Sequence, residues 1–179
     1  EAPIWFAIEL QLAREALSRG QLPHWNGYVR GGAPMLAHGH LGFLDPLHWP
    51  ALLFEDPADG LLCLTYTMFA LAGALMFGFL RALRLGWLAA VFGGLGFAWS
   101  GTLSANGHWF MRMEPLALLP GLLWALLMMA RRRGAARAWP AAALALGMAC
   151  VWLSGFPQYG IPVTLLAAVF GGLLCLREL

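Results

Sequence analysis

The hydrophobic pattern changes character near residue 59. Residues 1–58 mix apolar side chains with Gly, Pro, His and charge at short intervals, whereas residues 59–179 form an almost continuous apolar run broken only by Arg clusters and a few polar turns. Five stretches of that run, 60–80, 85–103, 115–130, 139–153 and 160–176, approach or reach the roughly 20 residues that a helix needs to cross a hydrocarbon core. The third and fourth are short and are expected to draw on flanking residues. The pattern predicts an all-α fold: a polytopic membrane bundle of about five transmembrane helices over 59–179, preceded by a loop domain of residues 1–58.

Inside the loop, Ile4, Trp5, Ile8 and Leu12 recur at helical spacing while Glu9, Glu15 and Arg19 fall on other faces, which predicts a helix over 3–19. Pro3 suits its first turn and Gly20 the position after its last. Trp5, Phe6 and the scarcity of charge favour an amphipathic helix lying in the membrane interface, with an ordinary soluble amphipathic helix as the plainer alternative. Beyond it, Pro23, Gly27, Gly31, Gly32, Pro34 and Pro46 forbid a long regular element. A short helix is expected over 50–54, and Asp56 or Asp59 is placed to cap the first span.

The Arg residues set an orientation. Arg81 and Arg84 separate spans one and two, Arg131, Arg132, Arg133 and Arg137 separate three and four, and Arg177 follows five. These are alternate connections, so the positive-inside rule places them all in the cytoplasm. Residues 1–58 and the turns 104–114 and 154–159 then share the extracytoplasmic side.

Composition agrees with a bilayer as solvent. Of 179 residues, 60% are apolar and 11% charged, against about 25% charged in a soluble domain. The mean hydropathy is +0.68. A net charge of +2 gives no basis for a nucleic-acid partner. Cys63, Cys150 and Cys175 sit singly in apolar runs and read as small core residues. The chain opens without Met or a signal pattern and ends directly after an apolar run, so a longer membrane protein is expected, with a further span before residue 1.

Polar chemistry collects on the expected outer side. His24, His38, His40 and His48 lie in the loop and His108 in the 104–114 turn, and every acidic residue except Glu178 falls there too. Polar groups gathered at one rim suit a lipid-linked substrate whose head group reacts at the water boundary, although any extramembrane loop gathers polar residues because spans exclude them. His38, His40 and His48 with Asp45 offer nitrogen and oxygen ligands. Their spacing is no zinc signature and no metal ligand is assigned; structural loop histidines are the plainest reading, and hydrogen bonding or phosphate contact is the functional one. A divalent cation is the one cofactor the chemistry leaves room for. Arg112, which with Glu114 flanks the outer end of span three, can hold a phosphate by paired hydrogen bonds, with an interfacial salt bridge or a snorkelling Arg as the simpler role. Gln158, in a turn expected to follow a helix broken by Pro157, can bond a sugar hydroxyl.

Taken in order, several segments resemble the YfhO-like family of bacterial membrane proteins, within the GT-C superfamily of glycosyltransferases. They are residues 15–28 (EALSRGQLPHWNGY), 31–34 (GGAP), 96–101 (GFAWSG) running into Asn106-Gly107-His108, and 154–158 (SGFPQ). Gly27 stands where the family usually has Pro, and Asp45-Pro46 where it tends to have Tyr-Pro. The resemblance implies a GT-C-like fold in a bacterial inner membrane, and transfer of a sugar from a polyprenyl-phosphate carrier to a cell-envelope glycan or lipid acceptor at the outer face, with inversion. It implies a catalytic carboxylate in the first outer loop, near Glu1 or upstream of it, with Asp45 as the alternative base. Candidate substrate-binding residues are Trp25, Asn26, Tyr28, His38, His40, His108, Arg112 and Gln158.

Two other functions fit the same pattern. A lipid-linked sugar flippase or polysaccharide-export component would place polar groups in the span centres, which carry no charge here. A purely structural subunit needs no site at all.

Overall fold

The computed structural model describes residues 2–28, 31–38 and 42–178, the side chains of 2–5, 37, 38, 177 and 178 excepted. The expected bundle is present. Five helices or helical segments are long and apolar enough to cross a membrane: Pro57–Ala82, Trp87–Ala105, Phe110–Arg131, Gly134–Leu153 and Pro157–Leu176. In detail, α1 is Ala2–Ser18, α2 Met35–His38, α3 Pro57–Ala82, α4 Trp87–Ala98, α5 Gly101–Ala105, α6 Phe110–Arg131, α7 Ala138–Leu153 and α8 Pro157–Glu178. Two-residue strands β1 (Trp25–Asn26) and β2 (Ala33–Pro34) pair antiparallel, and one-turn 3-10 helices cover Trp49–Leu53 and Gly134–Arg137.

Helix ends follow local chemistry. At the end of α1 the Gln21 N–H reaches the Ala16 carbonyl and the Gly20 N–H reaches Leu17. This pairing needs a left-handed residue, which Gly20 supplies at φ 69°. Asp56 caps α3 by accepting from the Ala58 N–H at 2.8 Å, with Pro57 as the first helical residue. Asp56→Ala is expected to destabilise the protein by about 1 kcal/mol, and Asp56→Asn far less, in equilibrium unfolding in mixed micelles. Equal losses in the two variants would refute the capping role.

Helix α6 is the hub. Half of its apolar window is buried, against 17–22% for the other spans. It packs on α3, α7 and α8, while α4 packs chiefly on α3. Inside the bilayer such contacts gain by van der Waals fit rather than by escape from water. Above the spans, Phe6, Leu10 and Ala13 of α1 bury against Ala51, Leu64, Phe110 and Met111. There each large side chain contributes roughly 1.5–3 kcal/mol by leaving water. Arg14 ties α1 to the start of α3 by donating to the Phe54 and Glu55 carbonyls at 2.8 and 2.9 Å.

Three expectations need correction. The inward face of α1 is Phe6, Leu10 and Ala13, with Glu9 buried among them, while Ile8 is exposed. Because α1 is apolar on several sides, fit to the core selects its inner face, and hydropathy alone does not. The third span begins at Phe110 rather than residue 115, so Arg112 and Glu114 sit on a helix and not in a turn. Pro115 and Pro120 lie inside α6, where each removes one N–H and frees one carbonyl without ending the helix. Likewise Pro157 opens α8 as its first residue, which puts Gln158 on a helix.

The two ends of the bundle differ as expected. Arg131 donates to the Ala82 carbonyl, so the α3–α4 and α6–α7 connections meet at one end. At the other, Thr65 of α3 donates to Gly107 at 3.1 Å, and the Phe156 ring at the α7–α8 turn lies over Arg112.

Candidate functional site

The first loop enters this second end through a Pro turn. Asp45 stands at the first turn position and Pro46 at the second, and the His48 N–H bonds the Asp45 carbonyl at 3.1 Å. The Asp45 carboxylate also accepts from the Leu47 N–H at 2.8 Å. The turn therefore delivers two functional side chains, three residues apart, to one place. Gly42, at φ 58°, makes room: a Cβ there would come within 2.4 Å of the His48 ring and 3.2 Å of the Leu153 carbonyl.

Helix α6 supplies the third group. Glu114 Oε2 lies 2.6 Å from His48 Nε2. One coordinating atom from each of Asp45, His48 and Glu114 falls within 4.8 Å of the other two, and all three residues are buried, with 0%, 4% and 0% of their surface exposed. Such a group can hold a metal ion. Phe110 walls it, its ring edge-on to His48 with centroids 4.9 Å apart.

The electrostatics are out of balance. The His48–Glu114 contact is the one ion pair among the described residues, so no described Arg pairs with either carboxylate. No donor group reaches Asp45 Oδ2 or Glu114 Oε1, both buried, so that only a proton shared between the two carboxyls can serve them. Asp45 responds with a pKa pushed up from 3.8 to about 7. Burial is the largest cause, followed by the Glu114 carboxyl, which shares a proton with it and repels a second negative charge. His48 and the Leu47 N–H pull the other way. Cys150 of α7 is buried within electrostatic reach of both carboxyls.

Arg112, two residues before Glu114, occupies another face of α6. Its guanidinium is clamped between rings, 4.1 Å from the Trp109 centroid and 4.7 Å from that of Phe156. No carboxylate pairs with it among the described residues, and its Nε is buried without a hydrogen-bond partner. Across Phe110 from His48 lies a cavity of about 570 Å³, lined by Phe6 and Ala7 of α1, Leu61, Leu62 and Thr65 of α3, and His108.

No protein-family model, no curated protein and no solved structure matches this chain. The site is legible only through its own chemistry.

The structure gathers some sequence candidates and disperses others. Asp45 lies in the buried cluster, His108 is exposed at the cavity that Phe110 also lines, and Arg112 is held between Trp109 and Phe156. Gln158 is exposed on the first turn of α8. Trp25 and Tyr28 are exposed on the β1 hairpin, and the Asn26 amide oxygen is engaged by the Tyr28 N–H at 3.0 Å. Glu1 and His40 lie outside the described residues, as does the His38 side chain. Sequence reasoning missed His48, Glu114 and Cys150 as a group. The available signals were Asp45 and His48 astride a proline turn, and a lone Glu facing a run of apolar residues at a span edge.

Proposed function

We propose that the chain forms part of an integral-membrane glycosyltransferase that takes a sugar from a polyprenyl-phosphate carrier and places it on a cell-envelope acceptor at the extracytoplasmic face, in the manner of the YfhO-like proteins it resembles. One observation supports this reading: a charged cluster and a large apolar cavity have Phe110 in common, and a guanidinium with no carboxylate partner among the described residues lies on the neighbouring Trp109, which Phe6 joins to Phe110. A lipid-linked sugar phosphate has the three matching parts. Its isoprenoid tail suits an apolar cavity, whose volume falls within the usual range for ligand sites. Its phosphate suits Arg112, and its sugar lies between them.

The reaction needs little more. An acceptor hydroxyl attacks the anomeric carbon, its proton passes to a carboxylate of the first segment (Glu1 or Asp45), and the carbon–oxygen bond to phosphate breaks with inversion. Arg112 meets the charge that gathers on the departing phosphate. A flippase or export role would call for polar groups deeper in the bundle. The cavity between α3, α6 and α7, about 180 Å³, is lined by apolar and Trp side chains instead.

The test is transfer of radiolabelled sugar from synthetic polyprenyl-phosphate donors by the intact protein in liposomes. Turnover with at least one donor is expected, lowered in His108→Ala. Absence of transfer with every donor, from protein that is folded and correctly inserted, would overturn the enzyme reading.

A further inference from the structure

We propose that Asp45, His48 and Glu114 bind one divalent first-row cation of the Zn²⁺ or Mn²⁺ class. Three observations converge on it. The donor atoms are one imidazole nitrogen and two carboxylate oxygens, mutually within 4.8 Å and carried by a rigid turn and a central helix. One imidazole with two carboxylates is a mixed set that suits Zn²⁺ and Mn²⁺ better than Mg²⁺ or Ca²⁺, which prefer oxygen alone. Two oxygens of the cluster, Asp45 Oδ2 and Glu114 Oε1, are fully buried and meet no donor group, so that only a proton shared between the two carboxyls can serve them, an unfavourable condition unless something else meets them.

Charge gives the third. With both carboxyls ionised and His48 protonated the three side chains carry a net charge of −1, and they become neutral only when a carboxyl takes up a proton. Buried charge that nothing offsets is unfavourable. Protons can neutralise the cluster, and so can a divalent cation, which in addition satisfies both orphan oxygens and replaces the proton between His48 and Glu114. Three protein ligands leave positions open for water or a phosphate oxygen. The Leu47 N–H already holds the other Asp45 oxygen and fixes its orientation.

The site stands independently of sugar transfer, since binding is read without any substrate. It also refines the chemistry above: an Asp45 that ligates a cation is not free to act as base, which leaves Glu1 for that role.

The experiment uses the intact protein in detergent, stripped with EDTA, desalted, and titrated with ZnCl₂ or MnCl₂. Metal content is measured by mass spectrometry after gel filtration, and bound Mn²⁺ is examined by pulsed electron paramagnetic resonance. The expected result is one metal per chain and a nitrogen coupling from a single imidazole. His48→Gln should abolish that coupling. Asp45→Asn and Glu114→Gln should each weaken binding by about 100-fold or more, at least the loss that a missing supporting group causes. His24→Ala, an exposed loop histidine, should change nothing. Substoichiometric metal, a missing nitrogen coupling, or unchanged affinity in folded Asp45→Asn would overturn the proposal. The wild-type stoichiometry and coupling decide the matter even if a variant fails to fold.

Discussion

Arg112→Ala is expected to lower sugar transfer by about 10²–10³-fold in kcat, the effect of deleting one preorganised donor aimed at developing charge. The guanidinium is held ready by Trp109 and Phe156, and no carboxylate competes for it among the described residues. No described carboxylate offsets its charge. If Arg112 bound only the ground state, KM would rise and kcat would hold; a fall in kcat marks contact with the leaving phosphate. Arg112→Lys keeps the charge but loses the flat, paired donors and the stacking on both rings, so only a small part of the rate should return. Stability should change modestly, because each ring contact contributes about 0.5–2 kcal/mol. Equal turnover in wild type and Arg112→Ala would remove Arg112 from the reaction.

Sequence periodicity located the spans because each is apolar around its whole circumference, a signal that no tertiary contact has to supply. It located their outer ends less well. Pro115 looks like the start of the third span but lies inside α6, and Pro157 follows the end of α7 as expected but opens α8, where the first-turn position tolerates the missing N–H. Starting the third span at Pro115 hid Glu114 and Arg112 in a supposed turn. The buried cluster was hidden for a different reason. Asp45 and His48 are close in the chain, but Glu114 lies 66 residues from His48, and only the packing of the loop onto α6 joins them. Asn26 shows the opposite case, a candidate ligand residue whose amide oxygen closes a local turn.

Removing one partner of the buried pair should be the most damaging single change. Glu114→Ala leaves His48 enclosed beside Asp45 with its 2.6 Å partner gone, and truncation of a buried ionic partner destabilises by about 3–5 kcal/mol. The side chain also leaves a void against Phe110 and the first loop, which adds to the loss. Glu114→Gln retains the shape and one acceptor oxygen, so it should recover much of that stability. The informative variant is the double replacement His48→Leu/Glu114→Leu. If the pair exists for stability, the double variant should be as weak as the single one. If it exists for function, apolar side chains of similar volume should restore folding to near or above wild type, as replacement of buried ion pairs often does, while metal binding and transfer stay lost. We expect the second outcome in equilibrium unfolding followed in mixed micelles. A buried cluster of two carboxyls and an imidazole, in which no donor group reaches Asp45 Oδ2 or Glu114 Oε1, is a poor way to hold a loop on a helix. A cation that completes it, as proposed above, offsets that disadvantage.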